Sequence, residues 1–436
     1  MELSLDVLSS KAACCLALSS ARVGNALIEL SVSRILSIAA LINSSGFTCL
    51  VFKASTACSA VILISSFISI PHNWLRIYSL LQDYKKRCTL RAVVYEGPNK
   101  LSIKERETPT PKQGEALVKV TANGICGSDI HGYTGETGRR VPGMIMGHEF
   151  VGTIADIGPN TEYPEGWHDQ SQYAVNPVMS DGICDFCKAG LNHHCRNRLI
   201  FGVSPSVVGA FSDYVIAPIQ NLISIGDKVD PEWGALVEPM SVGYHAAKRA
   251  GIGPGEPLLV IGAGPIGTAV VLAARRLGTG PVIVSEPNPE RRDRIAALDV
   301  TAIDPINDDL PARVKDLCGD LGAQFVIDAV GSSRTLADSL SLCSPRGTMV
   351  LLGMHEPTLS FDSYALSVAE RHLVGSFCYT AEEFKETAEW VATAPRELEG
   401  FISTRVGYGQ ISERFALQGK GEDLSLKVVF TPHSDN

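Results

Sequence analysis

The stretch from Pro257 to Glu286 constrains the fold of this chain more than any other. A short apolar run, Pro257–Ile261, leads into Gly262-Ala-Gly264-Pro-Ile266-Gly267 and then into an alanine-rich segment reaching Leu277. This reads as strand, tight turn and helix. The glycines permit the turn and let a pyrophosphate rest on the helix N-terminus. A second strand, Pro281–Ser285, ends at Glu286, nineteen residues past the last glycine, where a carboxylate accepts from ribose hydroxyls. GxGxxG alone is weak evidence, but between a strand and a helix, with an acid at that distance, it is a dinucleotide fingerprint. Further strands are expected over Val300–Ile303, Gln324–Val330, Thr348–Gly353 and His372–Gly375, with helical segments between most of them. Six strands are the number that a complete doubly wound parallel sheet uses. The expected cofactor contacts are Gly262, Gly264, Ile266, Gly267, Glu286, Val330 and Gly331. Arg291 and Arg292 are expected on the exposed face of the next helix, so the acid at Glu286 favours NAD over NADP.

Upstream, GICGSDIHGYTGETGRRVPGMIMGHEF (Gly124–Phe150) gathers a second chemistry. Cys126, His148 and Glu149 supply thiolate, imidazole and carboxylate, the ligand types zinc prefers, and a catalytic site keeps one position open. Asp129 suits the free ring N–H of a ligating histidine. Ser128 and His131 offer a hydroxyl and an imidazole for passing a proton outward. Each residue alone fits a buried cysteine or a surface histidine in a glycine-rich loop; the pattern as a whole does not. Further on, Cys184 and Cys187 form a CxxC pair with Cys195 eight residues later, a spacing suited to closing a tetrahedral thiolate site. Twelve cysteines in all therefore read as reduced thiols and metal ligands, not as a disulfide scaffold.

GICGSDIH followed by GHEFVG resembles the zinc-dependent medium-chain dehydrogenases, and within them the sorbitol and polyol branch. The likeness runs from about Leu90 to the C-terminus. It implies an α/β protein in which a GroES-like, β-rich catalytic domain (89–240, with a zinc lobe at 181–195) is joined to a Rossmann NAD-binding domain (241–376). The tail, 377–436, is then expected to return to the catalytic domain. The family's lobe has four cysteines; the first is Asp181 here, and a site of Asp181, Cys184, Cys187 and Cys195 would hold a second, structural zinc, against a lobe that packs without metal. Leu236-Val-Glu238-Pro resembles the segment whose glutamate faces the catalytic zinc directly or through water; a carboxylate at a helix N-terminus is the plainer reading. The resemblance implies zinc held by Cys126, His148 and a carboxylate (Glu149, Glu238), acting as a Lewis acid on a secondary alcohol. Ser128 and His131 relay the proton, and hydride passes to NAD. A threonine-type or other zinc alcohol dehydrogenase, and a nucleotide-binding protein without turnover, are the alternatives. The family's Gly-Asp-Arg-Val turn is replaced by Glu165-Gly-Trp-His-Asp-Gln-Ser-Gln, so geometry there is expected to differ.

Residues 1–88 are different material. They carry eight Lys/Arg against four Asp/Glu in a chain whose net charge is −9. Ile35–Phe52 and Ala54–Leu75 lack charge and are long enough to be considered as membrane spans; both are rich in serine, and Pro71, His72 and Asn73 interrupt the second. The segment is expected to be either a membrane or targeting element or an extension outside the fold, including one left by a misplaced start. The acidic balance and the lack of a basic, aromatic-interleaved block exclude a nucleic-acid binder. The expected partner is a small-molecule alcohol or polyol, in a cytoplasmic homo-oligomer, with membrane association through residues 1–88 as the alternative.

Overall fold

The computed structural model describes residues 27–30, 50–54, 60–64, 89–227 and 229–433. The chain divides into two compact units, Met1–Leu90 with Glu105–Thr110, and Arg91–Lys104 with Pro111–Asn436. In the first, Leu27–Leu30 (β1), Leu50–Ala54 (β2) and Ala60–Ile64 (β3) make an antiparallel sheet in the order β1-β3-β2. The two uncharged stretches overlap β2 and β3, and the rest of them lies outside the described residues. Among the described residues no helix is long and apolar enough to cross a membrane.

Thr89–Gly97 (β4) and Lys100–Glu107 (β5) form a hairpin, with Asn99 at φ +60° in its turn. The main antiparallel sheet is built on Glu115–Gly124 (β6). Its alternating Ala116, Val118, Val120 and Ala122 are wholly buried, the period-two pattern of a strand with one face in the core. Glu149–Ile157 (β7), Tyr173–Val175 (β8) and Leu222–Ser224 (β12) extend the sheet on one side. Tyr214–Pro218 (β11) pairs with the first half of β6. The short strands Val178–Met179 (β9) and Leu199–Ile200 (β10) pair with each other. Where β6 ends, Gly124 lies opposite Glu149 of β7, and Asn123 and Gly124 lie opposite Phe430 and Val429 of Lys427–Phe430 (β20). Three strand ends thus meet at one corner, and β20 continues to Ile402–Val406 (β19).

The second sheet is parallel throughout. Its strands are Leu258–Ile261 (β13), Val282–Ser285 (β14), Thr301–Ile303 (β15), Ala323–Asp328 (β16), Cys343–Leu351 (β17) and His372–Gly375 (β18), in the order β15-β14-β13-β16-β17-β18. In sequence terms that is 3-2-1-4-5-6, the doubly wound dinucleotide-binding order. β13 is fully buried at its centre, as expected of a strand covered on both faces. Register pairs Ile261 with Ser285 and with Asp328, and Asp328 with Leu351, so the C-terminal strand ends form one edge, where ligands of such sheets bind. β16 stops at Asp328 and does not reach Val330, because the Asp328 carboxylate accepts the N–H groups of Val330 (2.9 Å) and Gly331 (3.0 Å) and turns the chain. Gly331 has φ +78°, and a Cβ there would lie 2.1 Å from the Gly353 carbonyl oxygen.

Two helices lock this sheet to the rest of its unit. Val237–Ala250 crosses Pro265–Arg276 at Gly243, where a Cβ would fall 2.5 Å from the carbonyl carbon of Ala269. Ala381–Val391 carries a capping box, Thr380 Oγ1 accepting from Glu383 N and Glu383 Oε2 accepting from Thr380 N. β19 and the helix Tyr408–Gly419 had no separate signature in the sequence. The helix crossing is testable: Gly243→Val should cost about 1–3 kcal/mol through overpacking, read as a lower urea midpoint with an unchanged slope.

Candidate active site

The corner where β6, β7 and β20 meet carries the site. Cys126 follows β6 and N-caps the helix Gly127–Thr134, with Asp129 Oδ2 accepting the Cys126 N–H at 3.2 Å. His148 immediately precedes β7, and Glu149 opens it. Donor atoms of Cys126, His148 and Glu149 all lie within 4.8 Å of one another. Asp129 is wholly buried, with Oδ1 3.6 Å from His148 Nδ1 and 3.9 Å from the Arg140 guanidinium. Burial alone would raise its pKa, but His148 and Arg140 outweigh this and lower it. His148 is likewise disfavoured as a cation by burial, yet Asp129 and the Cys126 sulfur lift it well above the usual imidazole range. An imidazole that faces Asp129 on one side and has a cysteine sulfur and a carboxyl beside it is a donor set that suits a divalent soft-to-borderline cation. The residues present therefore fit zinc.

Glu149 is also gripped from below. Lys427 Nζ donates to both of its oxygens, at 2.8 and 2.6 Å, and to the Ile125 carbonyl at 3.3 Å. The two side chains are 2% and 1% exposed. Burial would lower the lysine pKa, but Glu149 and Cys126 raise it. Lys427 was missed in the sequence because its signal, a lone cation in the apolar closing strand, points to nothing until the strand is placed.

Glu238 stands outside the three-ligand cluster. It is buried at the start of the helix Val237–Ala250, and its Oε1 accepts from the Tyr379 hydroxyl at 3.1 Å. Burial pushes its carboxyl up to about 7, against the pull of His148. Tyr379, fully buried, is itself raised well above its usual value by burial and by Glu238, and remains a donor. The neighbouring Cys378 has φ +51°, a left-handed conformation that costs energy in a non-glycine residue and clusters at functional sites. Ser128 Oγ is buried with no hydrogen-bond partner. His131 Nδ1 lies 2.5 Å from Glu136 Oε2 and is 39% exposed at its side chain.

In the lobe, ligand atoms of Asp181, Cys184, Cys187 and Cys195 come within 4.8 Å of one another. Asp181 Oδ1 accepts from Ile183 N (3.0 Å) and Cys184 N (3.1 Å), and Asn197 donates to Oδ2 at 2.9 Å. Those backbone donors hold its carboxyl well below the ordinary range. Cys184 and Cys187 sulfurs are 3.5 Å apart. Desolvation and the adjacent sulfurs push Cys187 up to about 11, while backbone N–H donors lower Cys184.

On the parallel sheet, Gly262 has φ +96°, and a Cβ on Gly267 would meet the Gly262 carbonyl oxygen at 1.9 Å. Gly264 N-caps the helix that carries Ile266. Glu286 is buried at the end of β14; its Oε2 accepts from Ala263 N at 2.7 Å and its Oε1 from Asn288 N at 2.9 Å. Arg292 does not sit on an exposed helix face. It turns back to the Glu286 carbonyl (2.9 Å) and to Asp304 (3.2 Å), because that strand end leaves carbonyls and a carboxylate in its reach.

Residues 112–227 match the alcohol dehydrogenase GroES-like domain, and residues 265–393 match the zinc-binding dehydrogenase domain. The chain is 32% identical to L-galactonate-5-dehydrogenase of Escherichia coli K12, over 79% of this chain and 99% of the relative. The chain belongs to the zinc-dependent medium-chain dehydrogenase family. It is 29% identical to sorbitol dehydrogenase of Bacillus subtilis, over 78% of this chain and 97% of that protein. An Escherichia coli alcohol dehydrogenase solved with NADH superposes with a TM-score of 0.69 at 27% identity, over 79% and 99% of the two chains. The protein is thus an oxidoreductase acting on CH–OH donors, with zinc and NAD as its cofactors. Cys126→Ser should abolish zinc retention at the β6 corner and nearly all turnover, since a neutral hydroxyl replaces a soft anionic ligand; NADH binding, read by fluorescence, should persist. Lys427→Met should cost about 3–5 kcal/mol, because it leaves Glu149 buried and unpaired, measurable as a large fall in denaturation midpoint.

Proposed function

We propose that the protein oxidises a secondary hydroxyl of a polyol or sugar-like substrate at the Cys126–His148 centre. The observation that carries this reading is the convergence of the three-ligand cluster with the unpartnered Ser128 hydroxyl and with Glu238. Zinc, when bound, supplies Lewis acidity toward the substrate oxygen, and NAD accepts the hydride. The protein's own groups do the rest. Ser128 Oγ, free of other partners, is available to take the substrate's hydroxyl proton. His131 donates Nδ1–H to Glu136, which leaves Nε2 to receive that proton, and its exposure opens a path to water. Asp129 fixes the His148 ring by facing Nδ1, so the other nitrogen points to the ligand cluster. Tyr379 holds Glu238, and Glu238 rather than a thiol beside the cluster is the feature that favours the polyol branch. Lys427 keeps Glu149 at the corner, so that a carboxylate is present there without an unpaired charge.

We also assign Asp181, Cys184, Cys187 and Cys195 to a structural zinc. Asp181→Ala should lower zinc content and thermal midpoint while sparing turnover; one zinc per chain in fully active wild-type protein would point to a lobe that packs without metal. For the cofactor, Glu286 turns an acid toward the glycine turn, and Arg292 is engaged elsewhere. A preference for NAD over NADP in kcat/KM of at least about tenfold follows, which needs about 1.4 kcal/mol, and Glu286→Ser should erode it, mostly by admitting NADP. The direct test of the activity is NADH formation by zinc-replete protein on a panel of sorbitol, xylitol, galactitol, arabitol, sugar acids and threonine. Robust oxidation of at least one polyol or sugar derivative is expected, and oxidation of threonine alone would overturn the polyol reading.

A further inference from the structure

Arg140 lies in the loop between the helix Gly127–Thr134 and β7, next to the exposed Arg139, yet its own side chain is only 3% exposed. Burying a guanidinium is costly unless its donors are satisfied and a counter-charge is near. Arg140 Nη1 donates to the Val203 carbonyl at 3.3 Å; Nη2 donates to the Ser128 carbonyl at 3.5 Å and lies 3.9 Å from Asp129 Oδ1. Room for the stem comes from Gly132, where a Cβ would lie 2.7 Å from Arg140 Cγ and 2.9 Å from its Nε. Glycine is a poor residue for the body of a helix, and Gly132 sits inside Gly127–Thr134 with nothing in its helical backbone that calls for it. The arginine accounts for the glycine: the helix has given up stability to admit this one side chain.

Both groups that Arg140 meets on the helix belong to the reacting array. Asp129 Oδ2 is occupied by the Cys126 N–H, and its Oδ1, which makes no hydrogen bond, stands 3.6 Å from His148 Nδ1. The Ser128 carbonyl belongs to the residue whose Oγ is buried and unpartnered. One guanidinium nitrogen thus addresses the Asp129 carboxylate and the Ser128 peptide together, while the other ties them to Val203 on a separate segment of the chain. A planar guanidinium holds its donors in a fixed fork, which suits contacts in several directions at once. We propose that Arg140 is a positioning residue for the oxidation: through Asp129 it fixes the ring of His148, and through the Ser128 carbonyl it sets the hydroxyl that takes the substrate's proton. It acts through these two residues and not on the substrate itself. This inference rests on the dehydrogenase reading above.

Wild type, Arg140→Met, Arg140→Lys, Gly132→Ala and Arg139→Met are compared as full-length protein in two ways. Zinc-loaded enzyme is assayed on the best alcohol of the panel above, and cobalt-loaded enzyme is read by visible absorption. Arg140→Met is expected to lower kcat at least about tenfold, the low end for loss of a group that orients a metal ligand, with KM for NAD unchanged. Gly132→Ala favours the helix but evicts the Arg140 stem, so it should lower kcat as well, and it carries the test if Arg140→Met does not fold. Arg140→Lys should recover part of the loss by restoring a charge beside Asp129, and Arg139→Met should change nothing. The cobalt bands of Arg140→Met should differ from those of wild type, the contribution of the lobe cancelling in the difference. Unchanged kcat in Arg140→Met and Gly132→Ala, a KM for NAD that worsens in step with kcat, or an Arg140→Lys variant as impaired as Arg140→Met overturns the positioning role. Wild-type protein that oxidises no alcohol sinks the dehydrogenase reading instead. The cobalt difference then decides the matter for Arg140 alone, and an unchanged spectrum overturns its hold on His148.

Discussion

A buried ion pair anchors the corner from which the site is built. Taking a lysine and a glutamate out of water costs several kcal/mol for each ion, and only close, well-aligned partners offset it. Lys427 meets that requirement by donating to both oxygens of Glu149, with the Ile125 carbonyl as a further acceptor. The pair joins the last strand of the chain to the first residue of β7, beside the end of β6. Cys126 and His148 are each next to one of those strand ends. The ion pair, the sheet register and the ligand geometry are therefore one arrangement, and loosening any of them disturbs the others.

A similar economy operates at the cofactor edge. Glu286 and Asp328 are both buried acids at strand ends, and each spends its oxygens on backbone N–H groups of the turn that follows. Burial raises the Asp328 pKa while the Gly331 and Val330 N–H groups lower it, so this acid acts chiefly as a turn anchor. Glu286 bridges the glycine turn after β13 to the turn after β14, which places its carboxylate beside that glycine bend. Arg292, drawn to the same strand end, stiffens it from the other side.

What could be read from the sequence followed from local rules. The glycine turn, the six parallel strands and the three-cysteine lobe each have a short-range signature, and the strands lie where those signatures put them to within about five residues, the fifth starting at Cys343 and not at Thr348. Longer-range pairing was not legible. Lys427 is some 280 residues from Glu149, and nothing in either neighbourhood announces the contact. The contact of Tyr379 with Glu238 is likewise a product of tertiary packing. Arg292 was misplaced because helix periodicity says nothing about a long side chain that can fold back over its own N-terminus. Most of the extension lies outside the described residues, and its three described strands had no alternating pattern by which to find them.

On the proposed reading, hydride leaves the carbon of an alcohol held at the Cys126–His148 centre. Its most direct test is isotope transfer from a carbinol-deuterated substrate, chosen as whichever alcohol the enzyme oxidises fastest, to NAD, followed by mass spectrometry of the reduced cofactor. Zinc-replete enzyme should give singly deuterated NADH, protein stripped by chelator should give none, and added zinc should restore it. Undiminished deuterium transfer by metal-free protein, or unlabelled NADH from the replete enzyme, would contradict the account.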